Sequence, residues 1–176
     1  GRYVFFVGEE VGRMGSEAAA KFDADEWTDY DRMICWDRYG TSSIITYQMG
    51  TQTASDTFAE TLAAMYAAVS DNQADHLAPL ALTPDEGGTY TDSYSFIDLI
   101  PECTNISIGY VNQHTKYEKQ DARFLVTMAE ASVHIAWEEL PTEINKYRRE
   151  ELGWAAGWGG WSRYQDDDAK WYTIPP

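Results

Sequence analysis

The chain has 176 residues, 44% of them hydrophobic, enough to bury one sizeable core and too many for a disordered chain. Its 29 Asp and Glu against 13 Lys and Arg give a formal net charge of −16, which argues against nucleic-acid or anionic-membrane binding, because phosphate contacts need clustered Lys and Arg. No apolar stretch reaches the roughly 20 residues needed to span a bilayer.

The run Tyr3-Val4-Phe5-Phe6-Val7-Gly8 is rich in β-branched and aromatic residues and predicts a buried strand over 2–8. A short Ala-rich helix is expected near 15–22, followed by an acidic loop over 23–31. A second strand is expected over 32–37 and a third around 43–47. Phe58, Leu62, Met65, Tyr66 and Val69 recur at helical spacing, so 56–69 reads as an amphipathic helix with Ser55 as its N-cap. Leu80 to Thr83 suits a short strand, 85–88 a turn and 93–99 a short helix. A strand over 104–109 precedes a long helix over 118–139. Strands alternating with helices predict an α/β domain with a mostly parallel sheet. Cys35 and Cys103 each fall at or beside a strand; they could face one another, although buried free thiols fit better.

Three of the predicted strands end on side chains able to bind a metal or move a proton. Glu9 and Glu10 follow the first, Asp37 closes the second, and His114 lies in the loop beyond the third. The carboxyl ends of strands are where open α/β sheets place ligands. One of two adjacent carboxylates can hold a metal while the other moves a proton. Carboxylate oxygen with imidazole nitrogen suits zinc. Read singly, each feature is ordinary: a solvated acid pair in an acidic chain, or a capping histidine after a strand. His134, within the long helix, reads as a helix-face residue, and His76 as part of a polar link.

In that order and spacing, four segments resemble the M28-type zinc aminopeptidases and related co-catalytic metallopeptidases: Phe5 to Gly12 ending in Gly15-Ser16, Trp36 to Gly40, Gly88 to Ser93, and Asn105 to Tyr110 with His114 and Glu118. The resemblance covers residues 3 to about 120. It implies a three-layer α/β/α fold with a mostly parallel central sheet, hydrolase-like as in zinc exopeptidases. Glu9 would be the general base. Glu10 and His114 would bind one zinc and Asp37 the other. Asp92 would be a positioning residue behind the metal site, and Tyr110 would line the substrate cleft. The implied substrate is a peptide with a free N-terminus.

The family uses two zinc ions and more ligands than this chain offers, an earlier His and a bridging Asp among them. The chain opens inside an apparent core strand and Gly1 is not an initiator Met, so it reads as the C-terminal portion of a longer domain. A partner chain or a homo-oligomer is the expected cover for the missing part. The chain alone is expected to be a poor zinc binder and a poor peptidase. Residues 1–152 are assigned to this domain and 153–176 to a Trp/Gly-rich segment that packs on the domain, forms a subunit contact, or offers an aromatic platform. The alternative function is a non-catalytic binding or self-assembling module on the same fold, working through that segment.

Overall fold

Apolar runs and helical spacing resolve into short elements around a four-stranded sheet. The computed structural model describes residues 1–72 and 79–144. His76, the boundary at 152 and the Trp/Gly-rich segment 153–176 lie outside the described residues. Helix α1 spans Met14–Phe22 and α2 spans Ala24–Trp27. Strand β1 (Arg32–Arg38) is followed by β2 (Ser43–Ile45), β3 (Tyr47–Gln48) and β4 (Thr51–Gln52). Then come α3 (Asp56–Asn72), β5 (Thr83–Asp85), a 3-10 turn (Asp92–Phe96) and β6 (Glu102–Ser107). Strands β7 (Tyr110–Val111) and β8 (Lys119–Gln120), α4 (Ala122–Ser132) and a second 3-10 turn (Trp137–Glu139) complete the described chain.

The sheet order is β1-β6-β2-β5. β1 with β6 and β2 with β5 run parallel, while β6 meets β2 antiparallel at Ile106 and Ile44. The fold is therefore mixed α/β with a mostly parallel central sheet. One face carries Ile34, Trp36, Ile44 and Ile106 against α3 and α4, through Phe58, Leu62, Tyr66, Phe124 and Met128. The other carries Met33 and Cys103 against Trp27, Phe96 and Ile100, with Ala19 and Ala20 of α1. These three layers follow from strands that are apolar on both faces. Ser55 caps α3 as its sequence predicts, its Oγ accepting the Phe58 N–H at 3.2 Å. Among the described residues, no helix is long and apolar enough to cross a membrane.

All six residues of β6 are buried, including Glu102, Thr104, Asn105 and Ser107. Buried polar groups need partners, and these have them. The Thr104 hydroxyl donates to the Ile45 carbonyl at 2.7 Å, and the Ser107 hydroxyl to the Tyr39 carbonyl at 2.8 Å. The Glu102 carboxylate accepts four hydrogen bonds: from Ser55 N–H (2.7 Å), Ser55 Oγ (3.0 Å), Glu143 N–H (2.7 Å) and Ile144 N–H (3.1 Å). Its register partner on β1, Arg32, donates to the carbonyls of Trp137 and Leu140 and to Thr142 Oγ1. Together they clamp residues 137–144 across the amino ends of β1 and β6.

The structure corrects several expectations. Residues 2–8 enter no ladder, although their composition is that of a strand. The Val7 carbonyl instead accepts the Gly15 N–H at 2.9 Å, and the Gly8 carbonyl the Met14 N–H at 3.1 Å. Gly15 permits this approach: a Cβ there would lie 2.7 Å from the Val7 nitrogen. Phe6 packs on Phe96 and Trp27, while Phe5 is 95% exposed. The loop at 23–31 contains α2. The strand expected at 80–83 begins only at Thr83 and runs on to Asp85, within the expected turn. The helix expected at 93–99 is the 3-10 turn Asp92–Phe96. The long helix expected at 118–139 is shorter at both ends: Asp121 caps its start, its Oδ1 accepting the Phe124 N–H at 3.0 Å, and it stops at Ser132, with His134 beyond it in a turn.

Replacing Glu102 by Ala orphans several buried donors at once, each worth about 1–3 kcal/mol. Urea denaturation of Glu102→Ala is expected to show a loss above about 3 kcal/mol, with a smaller loss for Glu102→Gln.

Candidate functional site

Because β1 and β6 run parallel, their carboxyl ends open on the same edge of the sheet. A cleft of about 360 Å³ lies there. It is lined by Glu9, Glu10, Asp37, Tyr110 and His114, and also by Arg38, Tyr39, Met49, Tyr90 and Asn105. Each acid or imidazole arrives on a different device.

Asp37 is turned out by an irregularity in β1. Cys35 pairs with Asn105 and Arg38 with Ser107, so Trp36 and Asp37 face the single residue Ile106. Such bulges re-aim side chains beside active sites. The ladder is healed by a side chain: Asn105 Oδ1 accepts the Asp37 N–H at 2.9 Å. Thr91 Oγ1 donates to Asp37 Oδ2 at 3.0 Å, and the Tyr110 hydroxyl donates to the Asp37 carbonyl at 3.0 Å.

Glu9 and Glu10 sit in a turn closed on the Glu9 carbonyl, which accepts the N–H groups of Gly12 (3.1 Å) and Arg13 (2.9 Å). His114 lies between β7 and β8, a hairpin of two residue pairs. Its backbone is left-handed at φ 60°, and its N–H donates to Glu118 Oε2 at 2.9 Å. Its Nδ1 lies 3.7 Å from Glu10 Oε2, at the exposed rim. Asp92 does not line the cleft. It starts the 3-10 turn beneath it, with one carboxylate oxygen buried and without a hydrogen-bond partner.

The electrostatics follow from this crowding. Burial, then the charges of Asp37, Glu10 and Asp92, push Glu9 above the usual carboxylate range. Asp37 is also raised, by burial first and then by Glu10 and Asp92, against the Thr91 hydrogen bond. Its side chain keeps an open side toward the cleft mouth, but the protein packed around the carboxylate dominates. Burial and the Asp37 charge push the Tyr110 phenol up to about 12. Arg38, only 8% exposed, supplies a cation to this acidic wall. It donates to the Gly87 carbonyl at 3.0 Å, pairs with Asp85 at 3.7 Å and lies over the Tyr39 ring at 4.2 Å.

Zinc matches these donors in type, since carboxylates and an imidazole are present. It is not matched in number. Among the described residues, no group of three His, Cys, Asp or Glu is placed to hold a metal ion. Among the described residues the Glu10–His114 pair is the one close carboxylate–imidazole contact.

Sequence reasoning missed Arg38, Tyr39, Met49, Tyr90 and Asn105 as lining residues. Arg38 and Tyr39 follow Asp37 directly, and Asn105 faces it across the ladder, so their signal was adjacency. Tyr90 lies in the segment Gly88 to Ser93 that carries the resemblance, and Met49 had no signal.

No protein-family model matches the chain, and no curated protein does. Among solved structures it is similar to PhTET1-12s, solved as a dodecamer in the asymmetric unit, with 18% identity and a TM-score of 0.45. The match covers 73% of this chain, which spans 38% of the length of that one. A likeness of that size carries no argument about family or function.

A carboxyl group with a raised pKa favours the folded state while protonated, below its unfolded pKa, and opposes it once pH passes the folded value. Glu9→Gln is therefore expected to raise the Tm at pH 7. The difference should vanish as pH falls below the carboxylate range, as calorimetry over pH 3–8 can read. The thiols give a second check. Cys103 is buried, and enclosure pushes the Cys35 thiol up to about 12. At pH 8 both should resist a thiol reagent such as DTNB in the native chain and react fully after denaturation.

Proposed function

We propose that this chain carries part of the active site of a zinc-dependent exopeptidase of the aminopeptidase type. The observation that supports it is the meeting of Glu9, Glu10, Asp37 and His114 in one cleft at the carboxyl ends of β1 and β6. In this reading Glu9 is the general base. Its raised pKa brings it nearer the operating pH, which favours a group that must take and return a proton in one cycle. Glu9 takes a proton from the attacking water and returns it to the leaving amine. Glu10 with His114, and Asp37 separately, are the donors offered to two zinc ions. Because they fall short of a complete set, the remaining ligands must come from outside the described residues. In this reading Asp92 is the positioning residue behind the acids, and it acts on Glu9 and Asp37 through its charge. Tyr110 forms one wall and steadies the Asp37 backbone. The acidic floor suits the ammonium group of a peptide's free N-terminus.

A second reading, a non-catalytic module on the same fold, is favoured by one fact, the incomplete ligand set. Zinc titration separates the two. The 176-residue chain should bind zinc weakly. Glu10→Gln and His114→Ala should lower that affinity tenfold or more, while Glu9→Gln leaves it within about twofold. In a form that cleaves aminoacyl p-nitroanilides, Glu9→Gln should abolish turnover with zinc retained. Equal zinc loss in all three variants, or turnover indifferent to a chelator, would sink the peptidase reading.

A further inference from the structure

Gln48 lies at the buried end of β3, 0% exposed, and every polar atom of its amide is matched. Its Nε2 donates to Thr53 Oγ1 (3.2 Å), Ser93 Oγ (3.1 Å) and the Cys103 carbonyl (3.4 Å). Its Oε1 accepts the Thr91 N–H at 3.2 Å. The amide can sit only this way round, because the Thr91 N–H is a donor and only Oε1 can accept from it. Thr91, itself buried, then donates through its hydroxyl to Asp37 Oδ2 at 3.0 Å. The backbone repeats the connection. Gln48 bridges to Gly88, and the Met49 N–H donates to the Gly88 carbonyl at 3.1 Å. Gly88 is held so closely that a Cβ there would stand 2.3 Å from the Tyr47 carbonyl oxygen. Both ends of the stretch 88–91 are thus fixed from beneath, and Thr89 and Tyr90 between them line the cleft.

We propose that Gln48, which does not touch the cleft, is the positioning residue for its Asp37 side: through Thr91 it fixes the Asp37 carboxylate. The inference rests on the reading of Asp37 as a working carboxylate. A core amide that only filled space would need partners, but it would not need one whose hydroxyl continues to an acid of the cleft. A buried, fully satisfied network holds its members in one arrangement, and a site needs such support behind the groups that do the chemistry.

The test is the 13C resonance of the Asp37 carboxylate in the labelled 176-residue chain at neutral pH. Thr91→Val removes the direct hydrogen bond and should shift it. Gln48→Met removes the support of Thr91 and should shift it in the same direction. The double variant should shift it no further than Thr91→Val alone. Thr53→Val, which removes a partner of Gln48 Nε2 and leaves the Oε1 bond to Thr91, should lower the Tm and leave the resonance in place. If Gln48→Met does not fold, Gln48→Asn withdraws the amide from Thr91 by one methylene and carries the same expectation. A Gln48 variant that lowers the Tm while Asp37 keeps its wild-type shift overturns the proposal, as do additive shifts in the double variant. Zinc titration of the same samples tests the reading of the site separately. The expected shifts in a chain that binds no zinc would uphold the link from Gln48 and count against the peptidase.

Discussion

A buried carboxylate holds this fold together where an apolar residue might be expected. Glu102 begins the central strand, is wholly enclosed, and among the described residues meets neutral donors: the N–H and hydroxyl of Ser55 before α3, and two N–H groups of residues 143 and 144. A charge removed from water is costly unless its lone pairs are filled. Here the start of β6, the start of α3 and the last described residues converge to fill them. Arg32 beside it does the complementary work with carbonyls and a hydroxyl. The layers are thus registered to one another at the amino end of the parallel pair.

That arrangement divides the labour between the two ends of the same strands. At the amino ends the Glu102 carboxylate is buried and hydrogen-bonded through both oxygens. At the carboxyl ends the ladder is broken by a bulge, and an acid is left facing a cleft. Asn105 is the pivot. It is part of the closed polar interior of β6, yet its carbonyl oxygen supplies the bond that the bulge denies to Asp37. The raised pKa values of Glu9, Asp37 and Tyr110 are confined to this second end. Closely spaced acids oppose folding, so they need a sheet whose other end is well secured.

Much of this was legible in the sequence, for reasons that can be named. β1, β6 and α3 are long enough, and patterned enough, for apolar runs and helical spacing to identify them. The three-layer fold follows, because strands apolar on both faces need cover on both. The place of Asp37 follows from an apolar run that ends on a polar residue in β1, whereas Glu9 and Glu10 reach the cleft from a turn and His114 from the β7–β8 hairpin. What failed was long-range. Tyr3 to Val7 have the composition of a strand, but a strand exists only with a ladder partner, and their backbone groups are turned toward Gly15 and its neighbours instead. The helix expected from 118 was cut short by the Asp121 cap, since helical spacing does not reveal where a side chain takes over the first N–H groups. Gln48 gave no sign at all. Its importance lies in Thr91, Ser93 and Cys103, some fifty residues away.

Two of the elements that supply the cleft differ in how firmly they are anchored. Asp37 rides on a strand paired with buried β6 on either side of its bulge, and is braced by Asn105 and Thr91. His114 rides on a hairpin with two residue pairs, in exposed chain. Native proteins open piecemeal, and segments with few buried contacts open at far lower free energy than the sheet behind them. On warming, the imidazole side of the cleft should therefore come apart well before the domain melts. Amide hydrogen exchange would be fast over 110–120 and slow along β6. Any ligand that bridges Glu10 and His114 would act as a staple on the least stable part of the molecule, stiffening the hairpin far more than it raises the melting point of the core.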